Sequence, residues 1–195
     1  MHFFFFPVRQ VSTSMIPDIP ENSFVMVSPI VNKVERGDVV LLESKNTQEF
    51  SKGIIFLDSL CRFFTAQQIS YLENSDFPNK NNQLRRVIGM PGDIIYMRDY
   101  VLYVKPAGEK HFLTEFEVIE KKYNATFFAT PAGWDSSLAV TGSFEEIKLG
   151  NDEYFVLGDN RKSCSDSRLW GCISKNDIKA KSLFCYFPFN KMKVY

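Results

Sequence analysis

Short apolar runs separated by polar turns account for most of the sequence. Positions 24–30, 39–42, 86–90, 94–97, 101–104, 154–157 and 183–187 are rich in Val, Ile, Leu, Tyr and Phe, and glycine, proline or charged residues bound most of them. Such runs predict strands, so the expected fold class is mainly β. One stretch has a different rhythm. Across 53–73 there is no proline, and Ile54, Leu57, Leu60, Phe64 and Tyr71 recur roughly every three or four residues, which predicts a helical insertion. Asp58, Arg62 and Glu73 favour packing of that helix on the β-core over burial in a membrane surface. A polar loop of Asn, Asp, Ser, Pro and Lys follows, up to Gln83. The region 105–150 is less patterned and is broken by Pro106, Gly108, Pro131, Gly133 and Gly142, as expected for an inserted smaller β-lobe. Segments 1–104 and 151–195 then make up the core. No run reaches the eighteen or so apolar residues that cross a bilayer, and the phenylalanines before Pro7 read as a first strand or as the tail of an anchor.

Composition narrows the function. A chain of 195 residues that is 45% apolar buries a true core. Lys and Arg equal Asp and Glu at 23 each, so no net field recruits nucleic acid and any partner is recognised locally. The 19 Phe fit either extra core aromatics or an exposed apolar surface. With two His, and with Cys61, Cys164, Cys172 and Cys185 in no CxxC spacing, the sequence predicts no metal and no cofactor. Spacing alone does not choose among the possible disulfides, and the cysteines are read as free thiols.

Four segments carry candidate chemistry. Ser12-Thr13-Ser14-Met15-Ile16-Pro17 lies on a loop, because Pro17 opposes helix there; a serine in such a loop is ordinarily a turn or capping residue. Arg36-Gly37-Asp38 is a turn that feeds a strand, with Gly37 free to adopt positive φ. Arg85 to Asp93 reads as a strand closed by Gly-Met-Pro-Gly. Gly158-Asp159-Asn160-Arg161 opens a loop that ends Ser165-Asp166-Ser167-Arg168-Leu169-Trp170-Gly171, whose carboxylates and guanidiniums suit ion pairing.

In this order the segments resemble the successive boxes of type I signal peptidases, over most of the chain. The resemblance implies a mostly β catalytic domain on the extracytoplasmic face of the cytoplasmic membrane, with signal peptides of exported preproteins and the membrane surface as partners. It also implies an N-terminal membrane anchor, which no segment of this sequence supplies. Ser14 matches the family's nucleophile, and Ser12 the hydroxyl that joins the Ser14 amide in stabilising the oxyanion. Asp159, Asp166 and Arg168 match positions that order the site. Met15, Leu84 and Ile88 match the lining of the shallow pockets for small side chains.

The pattern departs at the base. Where the family has a lysine immediately before Arg-Val-Ile-Gly, this chain has Arg85, and Cys164 stands where many relatives have a serine that orients the lysine. Serine needs an adjacent base, and a buried lysine can serve as one; arginine offers five donors and no acceptor. Two functions follow from the resemblance. One is a signal peptidase I serine endopeptidase with its general base replaced; the other is a non-catalytic relative that binds signal peptides or a membrane partner.

Overall fold

The computed structural model describes residues 5–42, 83–127 and 142–195. The helix expected over 53–73, the polar loop after it and Cys61 lie outside the described residues. The strands are β1 (Phe6–Gln10), β2 (Ser23–Ser28), β3 (Val39–Leu42), β4 (Gln83–Gly89), β5 (Ile94–Arg98), β6 (Val101–Lys105), β7 (Leu113–Thr114), β8 (Phe144–Lys148), β9 (Glu153–Leu157), β10 (Ile173–Ser174), β11 (Ile178–Phe187) and β12 (Lys193–Val194). Between them lie the one-turn helices α1 (Glu115–Val118) and α2 (Ser167–Trp170) and a 3-10 turn at Thr13–Met15. The fold is mainly β, as the apolar runs predict.

The larger sheet has the order β1-β2-β11-β3-β4-β9-β10, with β12 added to β11, and the smaller has the order β7-β6-β5-β8. All paired neighbours run antiparallel. β3 sits inside the larger sheet with every residue buried, which is why it reads as an unbroken apolar run. β2 and β6 cover only one face, and their buried positions alternate. The smaller sheet is not confined to 105–150. It takes its central hairpin from β5 and β6, whose tight turn follows the Arg98–Val101 pair and whose open end pairs Ile94 with Lys105, and β8 then joins the free edge of β5.

Met15, Leu41, Leu84 and Ala180 belong to one buried cluster, whereas Ile88, Ile95, Leu102, Leu149 and Phe155 belong to another. Strand β4 contributes to both. Its two-residue period sends the adjacent Arg85 and Arg86 to opposite faces, and each enters a different polar network. Gly37 has φ +92, as the turn before β3 requires, and its carbonyl accepts from Arg86 Nη1 at 3.0 Å. Asp38 is buried there, with Oδ2 accepting from the Glu35 amide at 2.7 Å and pairing with Lys181 at 2.7 Å.

Candidate active site

Ser14 stands on the 3-10 turn between β1 and β2, buried except for 4% of its surface. Its backbone carbonyl accepts from the Asn160 amide at 2.9 Å, and Asn160 Nδ2 donates to Thr13 O at 3.1 Å, so the loop after β9 clamps the serine turn. Three side chains of the described residues meet the Ser14 hydroxyl. Arg85 Nη1 donates to Ser14 Oγ at 3.0 Å, Gln10 Nε2 donates at 3.1 Å, and Ser12 Oγ lies at 2.9 Å. The Ser14 and Ser12 hydroxyls bond each other, with either able to donate, and Ser12 Oγ, also neutral, accepts from Gln10 Nε2 at 3.0 Å.

Arg85 is buried, and all five of its N–H groups find neutral acceptors. Nε and Nη2 donate to Ser165 O at 2.9 and 2.6 Å, Nη1 donates to Leu84 O at 2.6 Å as well as to Ser14, and Nη2 donates to Gln83 Oε1 at 2.8 Å. Burial pushes its pKa below the ordinary arginine value, with nearby Cys164 and Asp166 opposing the shift. Even so, guanidinium stays protonated in proteins. Among the described residues, no carboxylate, imidazole or amine bonds Ser14 Oγ.

The last sequence box forms a separate ion-paired frame. Asp166 is the N-cap of α2, and it accepts from Arg168 Nε at 2.8 Å and Nη2 at 2.9 Å while its Oδ2 takes the Gly158 amide at 3.0 Å. Arg168 Nη1 donates onward to Arg161 O at 3.0 Å. Asp159 pairs instead with Arg86, which reaches Asp18 from the same guanidinium at 2.9 Å; the two carboxylates outweigh burial and raise the Arg86 pKa. Asp18 in turn holds Lys193 at 2.7 Å. Cys164 lies in the electrostatic neighbourhood of Arg85 and Asp166, and burial pushes its thiol up to about 12, so it is neutral at physiological pH. Cys164, Cys172 and Cys185 are unpaired thiols.

The structure thus brings Ser12, Ser14 and Arg85 together, with Asp166, Arg168 and Cys164 beside them. Met15 and Leu84 pack in the cluster beneath, but Ile88 packs in the other cluster and is not brought to them. Gln10, Asn160 and the Ser165 carbonyl are contacts that sequence reasoning did not assign. Asn160 stood inside a quoted motif; Gln10 and a backbone carbonyl leave no signal in a single sequence.

The model of the family "Signal peptidase, peptidase S26" matches residues 1–187. The chain belongs to the type I signal peptidase family. Signal peptidase I T of Bacillus subtilis (strain 168) is 26% identical over 98% of this chain and 79% of its own length. Signal peptidase I P of Bacillus subtilis subsp. natto is 31% identical over 80% of this chain and 78% of its own. The crystal structure of a signal peptidase I from Enterococcus faecalis V583 covers 77% of this chain and 97% of its own, at 20% identity and a TM-score of 0.38. Signal peptidases I remove signal peptides and are membrane associated; among the described residues no helix is long and apolar enough to cross a membrane.

The serine turn and the loop after β9 approach closely at Gly158. A Cβ at this position would collide with Cys164 Sγ and lie 2.7 Å from Ser14 O. Gly158→Ala is therefore expected to lower stability by about 1–3 kcal/mol through overpacking. Cys164→Ala in the same chain should recover only part of it, because the clash with backbone remains. Urea denaturation of the three proteins checks this, and a Gly158→Ala chain as stable as its parent would contradict the close approach.

Proposed function

We propose that this chain acts on signal peptides of exported preproteins, at the extracytoplasmic membrane surface, through a signal peptidase I site centred on Ser14. In this reading Arg85 reduces the site from efficient cleavage to binding. The observation that carries it is the direction of the hydrogen bond at the nucleophile: Arg85 Nη1 donates to Ser14 Oγ, where a base would accept from it. Ser12 takes the oxyanion-hole position, and Met15 and Leu84 the pocket positions. Ile88 supports the pocket only indirectly. Asp159, Cys164, Asp166 and Arg168 hold the loop that clamps Ser14.

Apolar exposure at one edge of the larger sheet supports contact with a membrane surface. Phe189, Met192 and Val194 are 76%, 61% and 79% exposed, beside β11 and β12, and Phe187 at the end of β11 is also exposed. Apolar side chains grouped in this way suit partial insertion among lipid headgroups.

Single-turnover cleavage of a fluorogenic signal-peptide substrate tests the reading. The chain is expected to cleave within severalfold of the Ser14→Ala background while binding the substrate. Cleavage far above that background would show that another group takes the Ser14 proton, and absence of binding would remove the assignment of substrate.

A further inference from the structure

Among the described residues, the buried carboxylates around Ser14 form direct ion pairs with guanidiniums other than that of Arg85. Asp166 has Arg168, Asp159 has Arg86, and Glu115 has Arg161, each in a direct ion pair. Among the described residues Arg85 makes no direct ion pair, and Asp166 and Asp159 act on it only as neighbours held by other arginines. Its acceptors are three carbonyl oxygens or amides of the backbone and side chain plus the Ser14 hydroxyl, all neutral, although only 3% of its surface is exposed. A buried cation without a counter-ion is costly, and a negative ligand would relieve that cost.

The hydroxyl pair next to it leaves one O–H donor. Gln10 and Arg85 donate to Ser14 Oγ, and Gln10 also donates to Ser12 Oγ and Ser12 O. The two hydroxyls bond each other at 2.9 Å, so one O–H is taken up within the pair and the other is free to donate away from it. A group entering here meets an O–H donor backed by a positive charge, beside hydroxyl oxygens that already accept from Gln10 and Arg85. A peptide amide would have its N–H unpaired, whereas a carboxylate is an acceptor only and is suited to charge-assisted bonds.

We propose that the Ser14 pocket is a receptor for the free C-terminal carboxylate of a peptide, the end that a signal peptide presents once it has been cut. The inference rests on the signal-peptide reading given above and deepens it. Arg85 supplies the charge, the Ser12–Ser14 hydroxyl pair supplies one outward O–H donor, and Gln10 donates to both hydroxyl oxygens. The peptide body would lie over Met15 and Leu84.

Fluorescence anisotropy with an N-terminally labelled peptide ending in Ala-Xaa-Ala, the residues at the cut end of a signal peptide, tests the inference on the unchanged chain. The free acid is expected to bind about tenfold or more tightly than the carboxamide of the same sequence, and Arg85→Gln should bring the two to parity. Equal affinities for acid and amide would overturn carboxylate capture and leave peptide binding standing. Binding of neither would overturn both this inference and the signal-peptide reading. Acetate that displaces the acid peptide at concentrations near the peptide's own Kd would show a small-anion site only, and a preference for acid retained in Arg85→Gln would overturn the role of Arg85.

Discussion

Arg85→Lys is expected to raise single-turnover cleavage of a signal-peptide substrate by about a hundredfold or more, the scale of help that a positioned general base gives. The position already has the geometry. Arg85 Nη1 is 3.0 Å from Ser14 Oγ, and the side chain is buried, so a lysine extended along the same path brings its amine toward the hydroxyl. Burial penalises the charged amine and lowers its pKa, which is the condition for lysine to act as a base. Asp166 and Asp159 pull the other way, but each is already held by its own arginine. Activity should rise with pH as the lysine loses its proton. A smaller head also leaves Ser165 O and Gln83 Oε1 short of donors, at a cost of roughly 1–3 kcal/mol, and thermal melts monitor this. Cys164→Ser should add to the gain by offering the amine a hydroxyl in place of a neutral thiol. The Ser14→Ala, Arg85→Lys double variant should remove the gain. A folded, substrate-binding Arg85→Lys chain that cleaves no faster than its parent would show that the missing base is not what limits the site.

The chemistry at Ser14 was legible in the sequence because it rests on short motifs with fixed order. The placement of Arg85 beside a serine 71 positions away follows from the resemblance and could not be read from periodicity. Strands β3, β5, β6 and β9 were legible within a residue because apolar content and turn residues agree there. β11 begins at Ile178, earlier than the run at 183–187 suggests, because Lys179 and Lys181 alternate with the buried Ile178, Ala180 and Ser182 in a strand paired on both sides. β8, Phe144–Lys148, was hidden by its two glutamates, which face solvent at the edge of the smaller sheet. Ile88 entered the sequence reading as a pocket-lining position implied by the family resemblance, and in the fold it packs in the second cluster, apart from Leu84. Its spacing from Leu84 suggests a common face, but a register shift in the β4 and β9 pairing between Val87 and Gly89 carries the end of β4 over the second cluster.

The pair that ties the two sheets together left no sequence signal, and breaking it is expected to have the largest effect on stability. Arg161 and Glu115 have fully buried side chains and pair at 2.6 Å, with a second contact at 2.9 Å. Burial works against the Arg161 charge, yet Glu115 overrides it and raises the pKa; Tyr123, whose hydroxyl donates to Glu115, is also raised, first by burial. Glu115 Oε1 takes the Leu102 amide at 3.1 Å, while Arg161 Nε reaches Gly158 O at 2.8 Å. The pair thus runs from the smaller sheet into the loop that clamps Ser14. Glu115→Ala strands a buried guanidinium without its paired carboxylate, and the expected loss is about 3–5 kcal/mol. Glu115→Gln keeps the shape and should cost less. Replacing both partners, as in Glu115→Leu with Arg161→Met, removes the unpaired charge and should be milder than Glu115→Ala alone, since apolar substitution of a buried pair is often close to neutral. Urea denaturation of the four proteins gives the comparison. A double variant less stable than Glu115→Ala by the full effect of a second deletion would mean that the two side chains act independently, and that the ion pair does not hold the lobe to the serine loop.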